Sequence, residues 1–200
     1  MKKSYSHFTV DDIQNLGLRM IRGELFSAIH SVQASDWLLR TLEINHKIPS
    51  NSEKAKSELF IAPLLTDITM RNTNKMTYFS GYYFNVDSKL GLKGFCDFLI
   101  SKKHDAAFIE SPLVAVVEAK YNQDLIDAVP QCAAEMFAAR IFNERKGDIL
   151  PCIYGAVTNG YEWLFLRLQN AQVIIDMDRY TIKNLSQLLG VWQTILDSFL

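Results

Sequence analysis

The sequence predicts an α/β domain, a central mixed β-sheet flanked by helices. Three observations carry that expectation. Two hundred residues are enough to bury a sizeable core within one domain. From Met76 the hydrophobic period shifts from helical to strand-like, and two groups of three strand segments follow, separated by one long helical segment. The run LVAVVEAK, from Leu113 to Lys120, stays apolar until its end, as in a strand covered on both faces. The expected layout is a helical N-terminal extension over 1–50, a core over 51–170, and a closing strand and helix over 171–200.

Thr9 and Ser35 suit helix N-caps, the second opening SDWLLRTLEIN; the stretch between these helices has no clear period. Ser50 and Glu53 have capping-box spacing ahead of a helix through SELFIAPLLTDI. That helix is expected to bend or break at Pro63, which has no N–H to give Leu59. TYFSGYYFNVD reads as a strand, DSKLGLKG as its turn, GFCDFLIS as the partner strand and LVAVVEAK as a third. QCAAEMFAARIFNERKG is an alanine-rich helix, apolar almost all round and suited to close packing on a sheet. PCIYGAVT and YEWLFLRL flank Asn159-Gly160, a pair that suits a type I′ turn. QVIIDMDRYTI adds a last strand. Leu185, Leu188, Leu189, Trp192, Leu196 and Phe199 then mark an amphipathic closing helix.

Composition excludes several classes. The chain is 48% hydrophobic and 22% charged, an ordinary globular balance. No apolar run approaches the ~20 residues of a membrane helix. The start, MKKSYSHFTVDD, lacks the apolar segment of a secretory signal. Cys96, Cys132 and Cys152 lie among apolar neighbours without a CxxC, so reduced core cysteines in a cytoplasm are expected. His7, His30, His46 and His104 have no ligand spacing. A net charge of −1 offers no global field for nucleic acid. A local basic patch could still come from Lys89, Lys93, Lys102, Lys103, Lys120 and Arg140.

Two acids stand out. Asp97 is a lone carboxylate in an apolar strand, sharing a strict-alternation face with Phe95 and Leu99. Glu118 poses the same problem on the next strand, with Lys120 on its face and Ala119 on the other. A buried carboxylate is costly unless paired or metal-bound. If the two strands are neighbours, Asp97, Glu118 and Lys120 converge, and hard oxygen donors of this kind suit magnesium or manganese. Glu58 shares a helical stripe with Ile61, Ala62 and Leu65, which points it inward; a simple surface position stays open because Pro63 unsettles the register. Gln131 and Glu135 lie four apart on one helix face. Gln131 is read as functional and Glu135 as the wet side of its helix. Tyr161, Trp163 and Phe165 alternate in a strand and are read as core.

The order Glu58, Asp97, Glu118-Ala119-Lys120, Gln131 resembles the PD-(D/E)XK nuclease superfamily, the restriction-endonuclease-like fold. In particular it is similar to the nuclease domain at the N-terminus of type I restriction R subunits and to small stand-alone bacterial relatives. SELFIAPLL, GFCDFLI, VVEAK, QCAAEMFAARIFN and YGAVTNGYEWLF carry the likeness, over residues 57–168. The resemblance implies that Asp97, Glu118 and the Ala119 carbonyl ligate Mg²⁺, with Mn²⁺ as substitute, and that Glu58 supports the metal or its waters. It implies that Lys120 orients or deprotonates the attacking water, and that Gln131 closes the site or touches the nucleic-acid backbone. Cys96 stands where the motif name has proline. The implied activity is Mg²⁺-dependent DNA cleavage in restriction or defence, with DNA as partner and no membrane. No Walker motif is present, so a motor or specificity element would come from a partner subunit; a homodimer is the other arrangement implied. The competing expectation is a non-catalytic binding or regulatory module that keeps the fold, which the neutral net charge favours. A third is an ordinary α/β interaction domain whose acids coincide with the motif.

Overall fold

A computed structural model, describing residues 3–121 and 124–199, builds the chain around one seven-stranded mixed sheet. The strands are β1 (Arg19–Gly23), β2 (Thr77–Asp87), β3 (Leu92–Ser101), β4 (Leu113–Ala119), β5 (Ile153–Thr158), β6 (Glu162–Gln169) and β7 (Gln172–Thr181). Their spatial order is β1-β7-β6-β5-β4-β3-β2. β4 pairs parallel with β5, and β1 with β7; the other neighbours are antiparallel. Every residue of β4 is buried, as its unbroken apolar run predicts. The α/β expectation holds, and β3 and β4 are neighbours.

The helices are α1 (Val10–Asn15), α2 (Asp36–Asn45), α3 (Glu53–Lys56), α4 (Ala62–Arg71), α5 (Val129–Lys146) and α6 (Leu185–Asp197). Side chains of α2, α4 and α6, among them Leu38, Leu65 and Trp192, cover one face of the sheet with Phe98, Val117, Trp163 and Phe165. Side chains of α1 and α5, including Ile13, Ala133 and Met136, cover the other with Leu99, Val116 and Leu164. Thr9 caps α1 through a capping box with Asp12, and the Ser35 hydroxyl accepts the Leu38 N–H at 3.1 Å. Among the described residues no helix is long and apolar enough to cross a membrane.

The first fifty residues depart from the helical expectation. The stretch between the two capped helices contributes β1, an edge strand, and Tyr5, Phe8, Leu25 and Phe26 enter the cores. This segment is part of the sheet rather than an appendage to it.

The Pro63 helix also departs from expectation. Ser52, not Ser50, caps α3 by accepting the Ala55 N–H. From α3 the chain runs through a wide turn at Ser57–Ile61, where the Ala62 N–H reaches back five residues to Ser57, and continues as α4. Pro63 breaks nothing. The Leu59 carbonyl that it cannot serve accepts the Asn45 side-chain amide at 2.7 Å. The Asn159-Gly160 hairpin is also not type I′. Gly160 has φ +86°, but Asn159 is not among the left-handed residues, and its Oδ1 accepts from Tyr161 N–H and Glu162 N–H in a wider loop.

α5 packs closely on the sheet at Gly155 in β5. A methyl group there would sit 2.5 Å from Met136 Sδ and 2.9 Å from Cys132 Sγ. Gly155→Ala should therefore destabilise by ~1–3 kcal/mol through overpacking. At ~2–4 °C per kcal/mol for a chain of this length, a thermal melt should fall by several degrees. An unchanged melting temperature would show that α5 can draw back from β5 freely.

Candidate functional site

β3 and β4 part company at the predicted acids. Their pairing runs as far as Phe98 opposite Val117. Beyond that point the Ala119 N–H donates to Asp97 Oδ2 at 2.8 Å, while the Lys120 N–H turns to the Thr158 carbonyl at 2.7 Å. The strands splay, and the Asp97 carboxylate fills the place of a backbone partner. The alternation of β3 slips here: Cys96 and Leu99, three apart, both enter the α5-side core, so Phe95 is exposed rather than facing with Leu99. Gly81 of β2, between the register pairs Ser80–Phe98 and Tyr82–Cys96, has φ +64°, and a side chain there would meet nothing within 4 Å.

On β4 the alternation holds. Ala119 packs into the opposite core, and Glu118 and Lys120 share the α5 side. Lys120 Nζ hydrogen-bonds Glu118 Oε1 and also donates to Gln131 Oε1 at 3.3 Å. Gln131 in turn donates through Nε2 to Glu135 Oε1 at 3.2 Å. A chain of contacts thus joins Glu118, Lys120, Gln131 and Glu135. Glu135 is fully buried, which corrects the wet-face reading of that residue.

Two buried acids dominate the electrostatics. Glu118 is 2% exposed and Glu135 0%, and the Oε2 atom of each lacks a hydrogen-bond partner. Burial, then the charge of Asp97, pushes Glu118 up to about 8 against the pull of Lys120. Burial and the charge of Glu118 push Glu135 well above the ordinary carboxylate range. Burial raises Asp97 as well, although the Ala119 N–H and Lys120 oppose it. For Lys120, burial favours the neutral amine, but the charge and hydrogen bond of Glu118, with Glu53 and Asp97, outweigh it and raise its pKa.

A cleft of about 450 Å³ opens over these groups, lined by Glu53, Asp97, Glu118, Lys120 and Gln131 together with the N-terminal turn at Ser4–Ser6. A second recess of about 270 Å³ shares Glu53 and Asp97 and holds Ser57, Glu58 and Gly81. Asp97 stands where the two meet. Glu58 does not turn inward: its side chain is 64% exposed and lies 3.8 Å from Lys54. The wide turn at Ser57–Ile61 breaks the i, i+3 relation with Ile61 that pointed it in. The helix-borne acid of the main cleft is Glu53, first residue of α3, whose spacing from Ser50 suits a capping box but which instead lines the site. Of the proposed basic patch only Lys120 lines the cleft; Lys102 bonds the Phe199 carbonyl, Arg140 the Asn170 carbonyl, and Lys103 lines a separate recess.

The donor set suits a hard cation. Among the described residues no three acid, imidazole or thiol groups close on one metal position. Magnesium, however, is commonly held by one or two carboxylates and keeps several waters. Asp97 and Glu118, with an unpartnered Oε2 on Glu118, match that requirement. The three cysteines are free thiols, Cys96 and Cys132 buried and Cys152 half-buried, and burial raises the pKa of each.

The raised acids set a pH dependence. In the native chain Glu118 keeps its proton up to about 8, while the unfolded chain releases it in the ordinary carboxylate range. The native state then binds more protons than the unfolded state, so stability falls as pH rises. In EDTA the melting temperature should decline between roughly pH 5 and pH 8. Glu135→Gln removes one of the coupled acids and should flatten that decline and raise the melting temperature at the alkaline end. A flat profile in the parent protein would mean that both acids ionise freely.

No model of a known protein family matches this chain, and a search of the curated proteins finds no matching relative.

Proposed function

We propose that this chain is a Mg²⁺-dependent phosphodiesterase of restriction-endonuclease-like fold that hydrolyses DNA in restriction or defence. The observation that carries the reading is the splayed end of β3 and β4, which gathers Asp97, Glu118 and Lys120 in one cleft. Asp97, Glu118 and the Ala119 carbonyl would hold the ion. A bound Mg²⁺ supplies charge neutralisation at the phosphate and a more acidic water. Lys120, held cationic by its acid neighbours, acts as a donor to the phosphate or the attacking water rather than as a base. Gln131 fixes the lysine from α5. Glu53 takes the supporting place first given to Glu58. A cytoplasmic location and a second copy or partner subunit, supplying motor or specificity, belong to the same reading.

The second reading is a non-catalytic nucleic-acid or regulatory module. The net charge of −1 and the dispersal of the lysines favour it.

Incubation with plasmid and with a single-stranded oligonucleotide, each in Mn²⁺, separates the two. Cleavage by the parent protein should fall about 10²-fold or more in Lys120→Ala, the scale of losing one positioned donor. Equal cleavage by Lys120→Ala would place the activity elsewhere, and no cleavage by either protein would favour the module.

Metal binding has its own readout. Excess Mn²⁺ at about a hundred times Kd stabilises by about 2.7 kcal/mol, several degrees in a melt. Asp97→Asn should melt at or above the parent in EDTA, having lost one repelling charge, yet gain little from Mn²⁺. An unchanged Mn²⁺ increment in that variant would move the metal to another site.

A further inference from the structure

The same cleft carries an aromatic pair that the phosphodiester chemistry leaves unused. Tyr83 of β2 and Phe95 of β3 are direct register partners across the two strands. Their rings meet edge to face with centroids 5.2 Å apart. Both line the cleft that holds Asp97, Glu118 and Lys120. Phe95 is 68% exposed and Tyr83 52%. Of the other aromatics of these strands, Phe84 packs on Phe142 of α5 and Phe98 lies in the α4-side core, while Tyr78, Phe79 and Tyr82 are half-buried. Single exposed aromatics are common, and Phe108 is 72% exposed; Tyr83 and Phe95 differ in being paired with each other and set in the cleft of the acids.

We propose that Tyr83 and Phe95 form a stacking platform for an unpaired nucleobase, which makes single-stranded or frayed nucleic acid the substrate class of this site. The inference rests on the phosphodiesterase reading for where the reacting phosphate sits. Phe95 and Asp97 are two residues apart, about 6.6 Å along the strand. One nucleotide spans that distance between its phosphate and its base. With a phosphate at Asp97 and Lys120, the attached base reaches the rings. In a duplex that base is stacked on its neighbours and closed to an aromatic side chain, so the platform needs an unpaired one. Charge points the same way. The cleft sets Lys120 against Glu53, Asp97 and Glu118, too little positive charge to hold a phosphate backbone by ion pairing alone. Stacking supplies affinity without net charge and tolerates any sequence, because every base has a ring face to offer.

The test is binding in EDTA, where no hydrolysis occurs. Full-length protein is titrated against a short fluorescein-labelled oligothymidylate and against a blunt duplex of the same length. The single strand should bind more tightly than the duplex. Phe95→Ala and Tyr83→Ala should each weaken single-strand binding about tenfold, the cost of one lost stacking partner, and leave duplex binding unchanged. Phe95→Trp should restore the affinity. Both rings are exposed, so melting temperatures should match the parent and keep a folding defect out of the comparison. Single-strand binding by both alanine variants that equals the parent's overturns the proposal, as does a parent that prefers duplex or binds no strand. A parent that self-associates through these rings, becoming monomeric in Phe95→Ala without any strand binding, also overturns it, since the rings then face a second copy. The two readings fail separately. Mn²⁺-dependent cleavage lost in Lys120→Ala, with strand binding indifferent to Phe95, sinks the platform alone. Ring-dependent strand binding without cleavage sinks the phosphodiesterase alone.

Discussion

Glu118 is the residue around which this molecule is organised. It lies at the end of a fully buried strand, where an ionised carboxylate without partners would be strongly unfavourable. Its surroundings answer that problem in part. Lys120 on its own strand pairs with it and Gln131 of α5 holds the lysine, but the charge of Asp97 on β3 works against ionisation. The compensation is incomplete, for two carboxylate oxygens lack partners and the acids hold on to protons. A fold that tolerates such a cluster retains an electrostatic imbalance, as sites built to receive charge often do.

The splayed strand ends follow from the same constraint. Asp97 takes the Ala119 N–H that a regular ladder would have given to backbone. In doing so it opens the sheet at one point while Phe98 and Val117 keep it closed just beyond. The glycine opposite, at φ +64°, takes a backbone conformation that residues with a side chain rarely adopt. Backbone and side-chain chemistry therefore agree on where the cleft lies.

Much of this was legible in the sequence because strands alternate with period two. Asp97, Glu118 and Lys120 interrupted apolar runs, and each interruption pointed to the site. The helices were less transparent. Glu58 was placed inward by a period of 3.6, but the turn at Ser57–Ile61 has an extra residue, and one residue swings a side chain by about 100°. Glu53 was hidden by a plausible capping role that Ser52 in fact leaves it free of. Glu135 sat on a helix apolar almost all round, where pattern gives no direction. Its burial is decided by β4, a tertiary neighbour. β1 was unreadable because RMIRG is short and carries two arginines, as edge strands often do.

That edge strand shapes how the chain can fold. β1 pairs in parallel with β7, its partner from nearly the other end of the sequence. A polypeptide leaving the ribosome can form the β2–β4 meander early, since those strands are neighbours in sequence, but β1 must wait for almost everything else. Until it docks, β7 presents an open row of backbone donors and acceptors to any passing chain. Closing so long a loop is slow compared with local pairing. A short, arginine-bearing strand from the N-terminal segment thus covers the β7 edge of the sheet.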